Sequence, residues 1–526
     1  MRRWFPILSV LFALTLSGCA AFPGWVRPAP SSPLPSIDLS GDPGPRTSPD
    51  RPTPAVPATH VKGITSPPPG EGIERYAQQN VNWLPCRVRE SVHECADVLA
   101  PLDWSAPDGD TALTLRLLRV PATKQPRLGT IFVNPGGPGE PGTGLAAGFA
   151  REGLEQYDIV GWDPRGTGES TPVICAPGPQ MDEFFDSDAS PDDEAERQEA
   201  IRLSREFGQA CLDRSGRLLQ HISTLDTVAD LDLLRQLVGD EKLNFFGYSY
   251  GTDIGSRYAH EHPDKVGRIA LDSAVDITGS EEVFQATGFD RALTNFATWC
   301  SEQKCALGSD TDQVLKAVTD LFDRLDERPL TVRGRQLTQS QAVTGTVVAL
   351  YGAEEEWRLL SNALQRARSG DGRLLLQMAD FYNARADDGT YDARLSAFTA
   401  IRCLDEGDRG IAGADRAAAI QNEKAPIMGP YFGPDYLCSV WPVRPVPAPE
   451  PVTAKGAPPI LVIGTTGDSA TPYEHAQTMA RQLDSGVLLT FDGPGHGAYG
   501  GGSACIDAAV VRYFTEGPPT GAETCT

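Results

Sequence analysis

Ser249 stands in Gly247-Tyr248-Ser249-Tyr250-Gly251, where an apolar run that starts at Lys242 gives way to a helix-like stretch. G-x-S-x-G between a strand and a helix is the pattern of a nucleophile elbow. Glycines two residues either side of the serine leave room for a sharp, strained turn, which lifts the hydroxyl clear of its strand. A serine hydroxyl is a weak nucleophile until a base takes its proton, and the base needs a carboxylate to hold its tautomer. The C-terminal part supplies both in the chain order Ser, Asp, His. Pro459 to Gly464 reads as a buried strand followed by the loop TTGDSATP, which presents Asp468. A second strand, Val487 to Phe491, leads into DGPGHG, which presents His496 as general base and acid. Asp492, four residues before His496, is the rival carboxylate. His260 and His262 follow the elbow on a helix and read as structural.

The charge that develops on a substrate carbonyl needs prearranged N–H donors. Gly129 to Val133 reads as a strand running into Asn134-Pro135-Gly136-Gly137-Pro138-Gly139, a loop whose bare backbone can approach a ligand. The expected donors are the N–H of Gly137, with Gly136 the alternative, and that of Tyr250. The elements that must position these groups are therefore strands that end in glycine-rich loops, as in an open α/β sheet.

Taken together, NPGGPG (134–139), VGWDPRGTGES (160–170), GYSYG (247–251), GTTGDSATP (464–472) and GPGHG (493–497) resemble the α/β-hydrolase peptidases related to prolyl iminopeptidase. Within them the chain resembles the secreted tripeptidyl aminopeptidases of actinobacteria. The resemblance runs from Gly129 to the C-terminus. It implies an α/β-hydrolase fold, a mostly parallel sheet flanked by helices, with an inserted mainly α-helical cap. It also implies a triad of Ser249, Asp468 and His496, the same three residues that the loops select. Glu140 interrupts a stretch that is richer in glycine and serine in relatives.

Arg2 and Arg3 precede an apolar stretch from Trp4 to Leu16, the length of a signal-peptide core and too short to span a membrane. Leu16-Ser17-Gly18-Cys19 then resembles a bacterial lipobox, so residues 1–19 read as a lipoprotein signal and Cys19 as the lipidated residue. A plain signal-peptidase site is the alternative. Residues 20–69, rich in Pro, Ser and Thr, form a tether. The strands and glycine loops stop near Ala274 and resume at Pro458. The division is thus a hydrolase core at 70–274 and 458–526, split by a helical cap at 275–457. Helical patterns at Asp312 to Leu325, Trp357 to Arg368 and Leu374 to Tyr382 fall within that cap.

Of 11 cysteines, setting Cys19 aside leaves an even number, as an oxidising compartment favours. Pairing of neighbours, one connectivity among many, joins Cys86–Cys95, Cys175–Cys211, Cys300–Cys305, Cys403–Cys438 and Cys505–Cys525. No CxxC spacing occurs, and the chemistry calls for neither metal nor cofactor. A net charge of −24 argues against nucleic acid as a partner. An aminopeptidase must hold a free α-ammonium group. The relatives of prolyl iminopeptidase use cap acids for this, which directs attention to Asp405 and Glu406, then to Glu354, Glu355 and Glu356. The expectation is an exported, lipid-anchored serine exopeptidase that releases short peptides, tripeptides among them, from substrates with free N-termini. A carboxylesterase or lipase-like hydrolase of cell-envelope esters, and an endopeptidase, use the same triad. A catalytically idle binding lipoprotein is disfavoured by an intact triad.

Overall fold

The computed structural model describes residues 63–88, 91–278, 283–406, 409–446, 451–518 and 521–526. The expected signal segment, Cys19 and the tether up to residue 62 lie outside them. The frame is an 11-stranded sheet. Its first strands are β1 (Ile64–Thr65), β2 (Leu84–Val88), β3 (Ser91–Pro101), β4 (Ala112–Val120), β5 (Gly129–Asn134), β6 (Tyr157–Trp162), β7 (Leu243–Tyr248) and β8 (Val266–Asp272). A separate hairpin, β9 (Leu330–Val332) and β10 (Arg335–Leu337), precedes β11 (Ile460–Gly467), β12 (Gly486–Pro494) and β13 (Glu523–Cys525). The order is β13-β12-β11-β8-β7-β5-β6-β4-β3-β2, with β1 on β4. Every pairing from β13 to β6 is parallel, and those among β6, β4, β3 and β2 are antiparallel.

The central strands are continuous apolar runs because both of their faces are covered, as parallel strands require. In β5, Phe132 packs into one hydrophobic cluster while Ile131 and Val133 pack into another. In β11, Ile460 and Val462 divide from Leu461 and Ile463 in the same way. The antiparallel strands at the other end are only half-buried at several positions, which is why their sequence shows no such run.

Between β8 and β11 the described residues are helices plus the β9–β10 hairpin. The expected helices occupy Thr311–Glu327, Glu354–Arg368 and Arg373–Tyr382. This segment has a core of its own, with Phe289, Phe322 and Leu364 at 0% exposure. That core also takes in Ala470, from the loop after Asp468, so the helices are seated directly on the C-terminal edge of the sheet.

Among the described residues five disulfides join Cys86 to Cys95, Cys175 to Cys211, Cys300 to Cys305, Cys403 to Cys438 and Cys505 to Cys525. Among the described residues no helix is long and apolar enough to cross a membrane.

Candidate active site

The carboxyl ends of five adjacent strands, β5, β7, β8, β11 and β12, converge on one edge of the sheet. In open α/β sheets ligands bind outside these ends. Ser249 follows β7 at a φ of 54°, a left-handed conformation that costs an L-residue about 1–3 kcal/mol and persists only where its surroundings enforce it. The enforcement is visible. The Ser249 N–H donates to the Asp272 carbonyl at 2.9 Å, and the helix Gly251–Glu261 starts at once. A Cβ on Gly247 would stand 2.4 Å from the Gly251 carbonyl, so the strand can pass the helix only if that residue is bare.

The loop after β5 lies against the elbow. A Cβ on Gly136 would come within 2.6 Å of the Tyr248 carbonyl and 3.0 Å of the Tyr250 nitrogen. The Gly136 N–H is already donated to Asn134 Oδ1 at 2.9 Å. Glu140, next in the chain, is buried and pairs with Arg394 at 3.2 Å, and burial pushes its carboxyl above the usual range. Arg394 opens the helix Arg394–Asp405, whose first turn lies on Gly139.

A register shift in β11 between Thr465 and Gly467 turns the strand end towards the loop after β12, as bulges beside active sites do. Asp468 is fully buried there, and its two oxygens stand 2.9 and 3.0 Å from His496 Nδ1. Asp468 also accepts the N–H groups of Ala470 and Thr471, both at 2.9 Å, and the Thr471 hydroxyl at 3.0 Å. Burial alone would raise its pKa; the adjacent His496 and these donors outweigh it and hold the carboxyl below its usual value. Asp492 is exposed and accepts the Thr466 hydroxyl at 2.8 Å, away from the imidazole. The His496 ring meets the Tyr351 ring edge-on at 5.3 Å, and the His496 backbone N–H donates to the Tyr351 carbonyl at 2.9 Å. An imidazole clamped at Nδ1 by a buried carboxylate leaves Nε2 free to accept a hydroxyl proton, which is the chemistry of acyl transfer.

Asp405 reaches the same neighbourhood from the inserted segment. Its carboxylate accepts the Thr224 N–H at 3.0 and 3.2 Å and the Thr224 hydroxyl at 2.5 Å, and that hydroxyl also bonds Tyr250 Oη. Burial pushes the Asp405 carboxyl up to about 7. Glu406 is exposed at the helix end, 3.9 Å from Arg402, and Glu354 and Glu355 are exposed in the first turn of their helix. Glu356 is half-buried and accepts the Ala353 N–H at 3.0 Å. Sequence reasoning passed over Thr471 and Tyr351. Thr471 stands three residues after Asp468 in an S/T-rich loop, a spacing suited to back-bonding a carboxylate; nothing in the sequence marks Tyr351.

The chain is 37% identical over 482 residues to the serine protease Hip1 of Mycobacterium tuberculosis, which covers 85% of this chain and 91% of that protein. It is 35% identical to the carboxylesterase B of the same organism, covering 81% and 85%. A family model described as TAP-like protein matches residues 425–525. The chain belongs to the TAP-like α/β-hydrolases. It is a serine hydrolase. The tripeptidyl aminopeptidase of Streptomyces lividans is a further relative, 28% identical over 84% of this chain and 86% of its own length.

Proposed function

We propose that this hydrolase is an exported serine exopeptidase that releases short peptides from free N-termini, with Ser249, His496 and Asp468 as its triad. Ser249 Oγ attacks the scissile carbonyl while His496 Nε2 takes its proton. The oxyanion collects on the N–H groups of Gly137 and Tyr250, and the peptide amine leaves with the proton from His496. Water then repeats the sequence on the Ser249 ester. The observation that carries this reading is the buried Asp468–His496 pair, 2.9 Å apart, on the same strand-end edge as a serine held at positive φ.

Peptides as substrates rest on the likeness to the protease Hip1 and to a tripeptidyl aminopeptidase. The helices between β8 and β11 act as the cap, and Asp405, placed one side chain from Tyr250, is the cap carboxylate best situated to influence the substrate's amine. Export follows from residues 1–19 and from the disulfides, and Cys19 is the lipid anchor to the membrane.

A carboxylesterase is the second reading, favoured by the relative of that name. Replacing Ser249 with Ala should abolish fluorophosphonate labelling and turnover. N-acetylation of a good tripeptidyl anilide should then lower kcat/KM by about ten- to a hundredfold, roughly 1.4–2.7 kcal/mol, the scale of one charge-assisted contact. Equal cleavage of blocked and free peptides removes the exopeptidase reading, and faster cleavage of short acyl esters than of either peptide installs the carboxylesterase.

A further inference from the structure

The acid–base roles above use one buried carboxylate. The site contains a second. Asp272, the last residue of β8, is fully buried, and it reaches two loops at once. Its carbonyl accepts the Ser249 N–H at 2.9 Å. Its carboxylate accepts the Ala498 N–H at 3.0 and 3.2 Å and the Tyr499 N–H at 2.8 Å. Ser273, next in the chain, holds a φ of 56°, and its hydroxyl accepts the Gly497 N–H at 2.8 Å. The same hydroxyl bonds Asp468. Three consecutive N–H groups that follow His496 are therefore captured by two consecutive residues at the end of β8, one of them in a conformation that costs about 1–3 kcal/mol.

A buried carboxylate costs several kcal/mol of lost hydration, on the order of what its hydrogen bonds return, so a mere loop anchor is served as well by a neutral acceptor. Given the triad proposed above, we infer that Asp272, assisted by Ser273, is a positioning residue that locks the His496 loop to the Ser249 turn and holds negative charge beside the imidazole. The ring and the Asp272 carboxylate interact electrostatically, and Asp468 adds a like charge from the loop after β11. Tyr248 on β7 is tied to the histidine loop by a 2.8 Å bond from its Oη to the Tyr499 carbonyl. Burial pushes the Asp272 carboxyl up to about 7.

Asp272→Asn keeps the shape, turns one acceptor into a donor that faces the Ala498 and Tyr499 N–H groups, and removes the charge. Misplacement of a catalytic group by a fraction of an ångström to about 1 Å costs up to ~100-fold, so kcat should fall about 10- to 100-fold with KM changed less than about twofold. The carboxyl itself takes up its proton at about 7, so the charge is present only above that pH, and its removal should move the upper part of the acid limb of the kcat/KM profile to lower pH. Ser273→Ala should lower kcat by a smaller factor and leave that limb in place, and it serves where Asp272→Asn does not fold. Fluorophosphonate labelling of the wild-type chain, mapped to its peptide, is the control: a label elsewhere than Ser249 overturns the triad and this inference with it. With Ser249 labelled, a variant whose melting temperature falls while kcat and the acid limb stay at wild type makes Asp272 a structural residue only.

Discussion

Thr471 does for the acid what the acid does for the base. Its N–H and hydroxyl occupy opposite oxygens of Asp468 at 2.9 and 3.0 Å, and the hydroxyl lies 3.3 Å from His496 Nδ1, so the carboxylate is steered before the imidazole arrives. Thr471→Val is nearly isosteric and deletes only the hydroxyl. A hydrogen bond to a charged group is worth about 1.5–3 kcal/mol, so kcat/KM should fall by about ten- to a hundredfold. Fluorophosphonate labelling of Ser249 should slow in proportion without vanishing, and labelling at the wild-type rate would show that Asp468 keeps its orientation unaided. The glycines of the elbow are a second residue-scale constraint. Gly136→Ala would push a methyl to 2.6 Å from the Tyr248 carbonyl at a φ of 101°, so the loop must retreat and draw the Gly137 donor away. Turnover should drop more than substrate affinity, which steady-state kinetics on a peptide anilide will show.

Elements explain which of these parts the sequence revealed. β5, β7 and β11 are buried on both faces, which forces unbroken apolar runs, and each run ends in a glycine-bearing loop. Ser249, Asp468 and the Gly136-Gly137 pair were legible for that reason, whereas His496 follows the half-buried β12 and was legible from its glycine-rich loop. Asp272 was not. An aspartate at the end of Ile269-Ala270-Leu271 looks like an ordinary turn residue, and its partners lie 226 and 227 positions away. Asp405 was visible only as one acid among several, because its bond to Thr224 spans 181 positions. The VGWDPRGTGES stretch, a mark of family resemblance in the sequence, acquires a physical reason. Arg165 is fully buried and forks onto Asp230 at 2.6 and 2.7 Å, while it donates to the carbonyls of Pro101, Leu102 and His221. It ties the turn after β6 to the end of β3 and to the helix Thr224–Leu237. Asp230→Ala strands a buried guanidinium and should cost about 3–5 kcal/mol of stability. Arg165→Met combined with Asp230→Leu should cost less than Asp230→Ala alone. Urea unfolding of both variants decides it, and a double variant that costs as much as Asp230→Ala or more would refute the pairing as the cause.

At the scale of the whole molecule, the inserted helices and the sheet share one catalytic edge. Gly288 on the helix Gln285–Glu302 allows no Cβ, which would stand 2.4 Å from the Ser469 carbonyl, and Tyr351 backs the histidine. Such dense packing buries acids in a chain whose net charge is −24. Burial pushes Asp272 and Asp405 up to about 7, and burial with acidic neighbours pushes Asp326 up to about 6. Each such group binds its proton more tightly folded than unfolded, where a carboxyl titrates near 3.9. Its stabilising contribution is therefore complete below about 4 and is lost as pH rises through 6 to 7. Asp468, Asp182 and Asp232 are shifted the other way, and their contribution holds above about 4 and is lost only below it. Stability should therefore peak at about pH 4 and decline towards pH 8, although the chemistry calls for an unprotonated His496. Self-repulsion of a −24 chain predicts the same slope, and salt separates the two causes. Surface repulsion is screened over about 10 Å at 0.1 M salt and over about 3 Å at 1 M, while buried groups are screened far less. Thermal melting at pH 5.5 and pH 8, with and without 1 M sodium chloride, should keep most of the gap in high salt and lose part of it in Asp272→Asn. A gap that salt abolishes would assign the pH dependence to the surface and leave the buried carboxylates without a part in it.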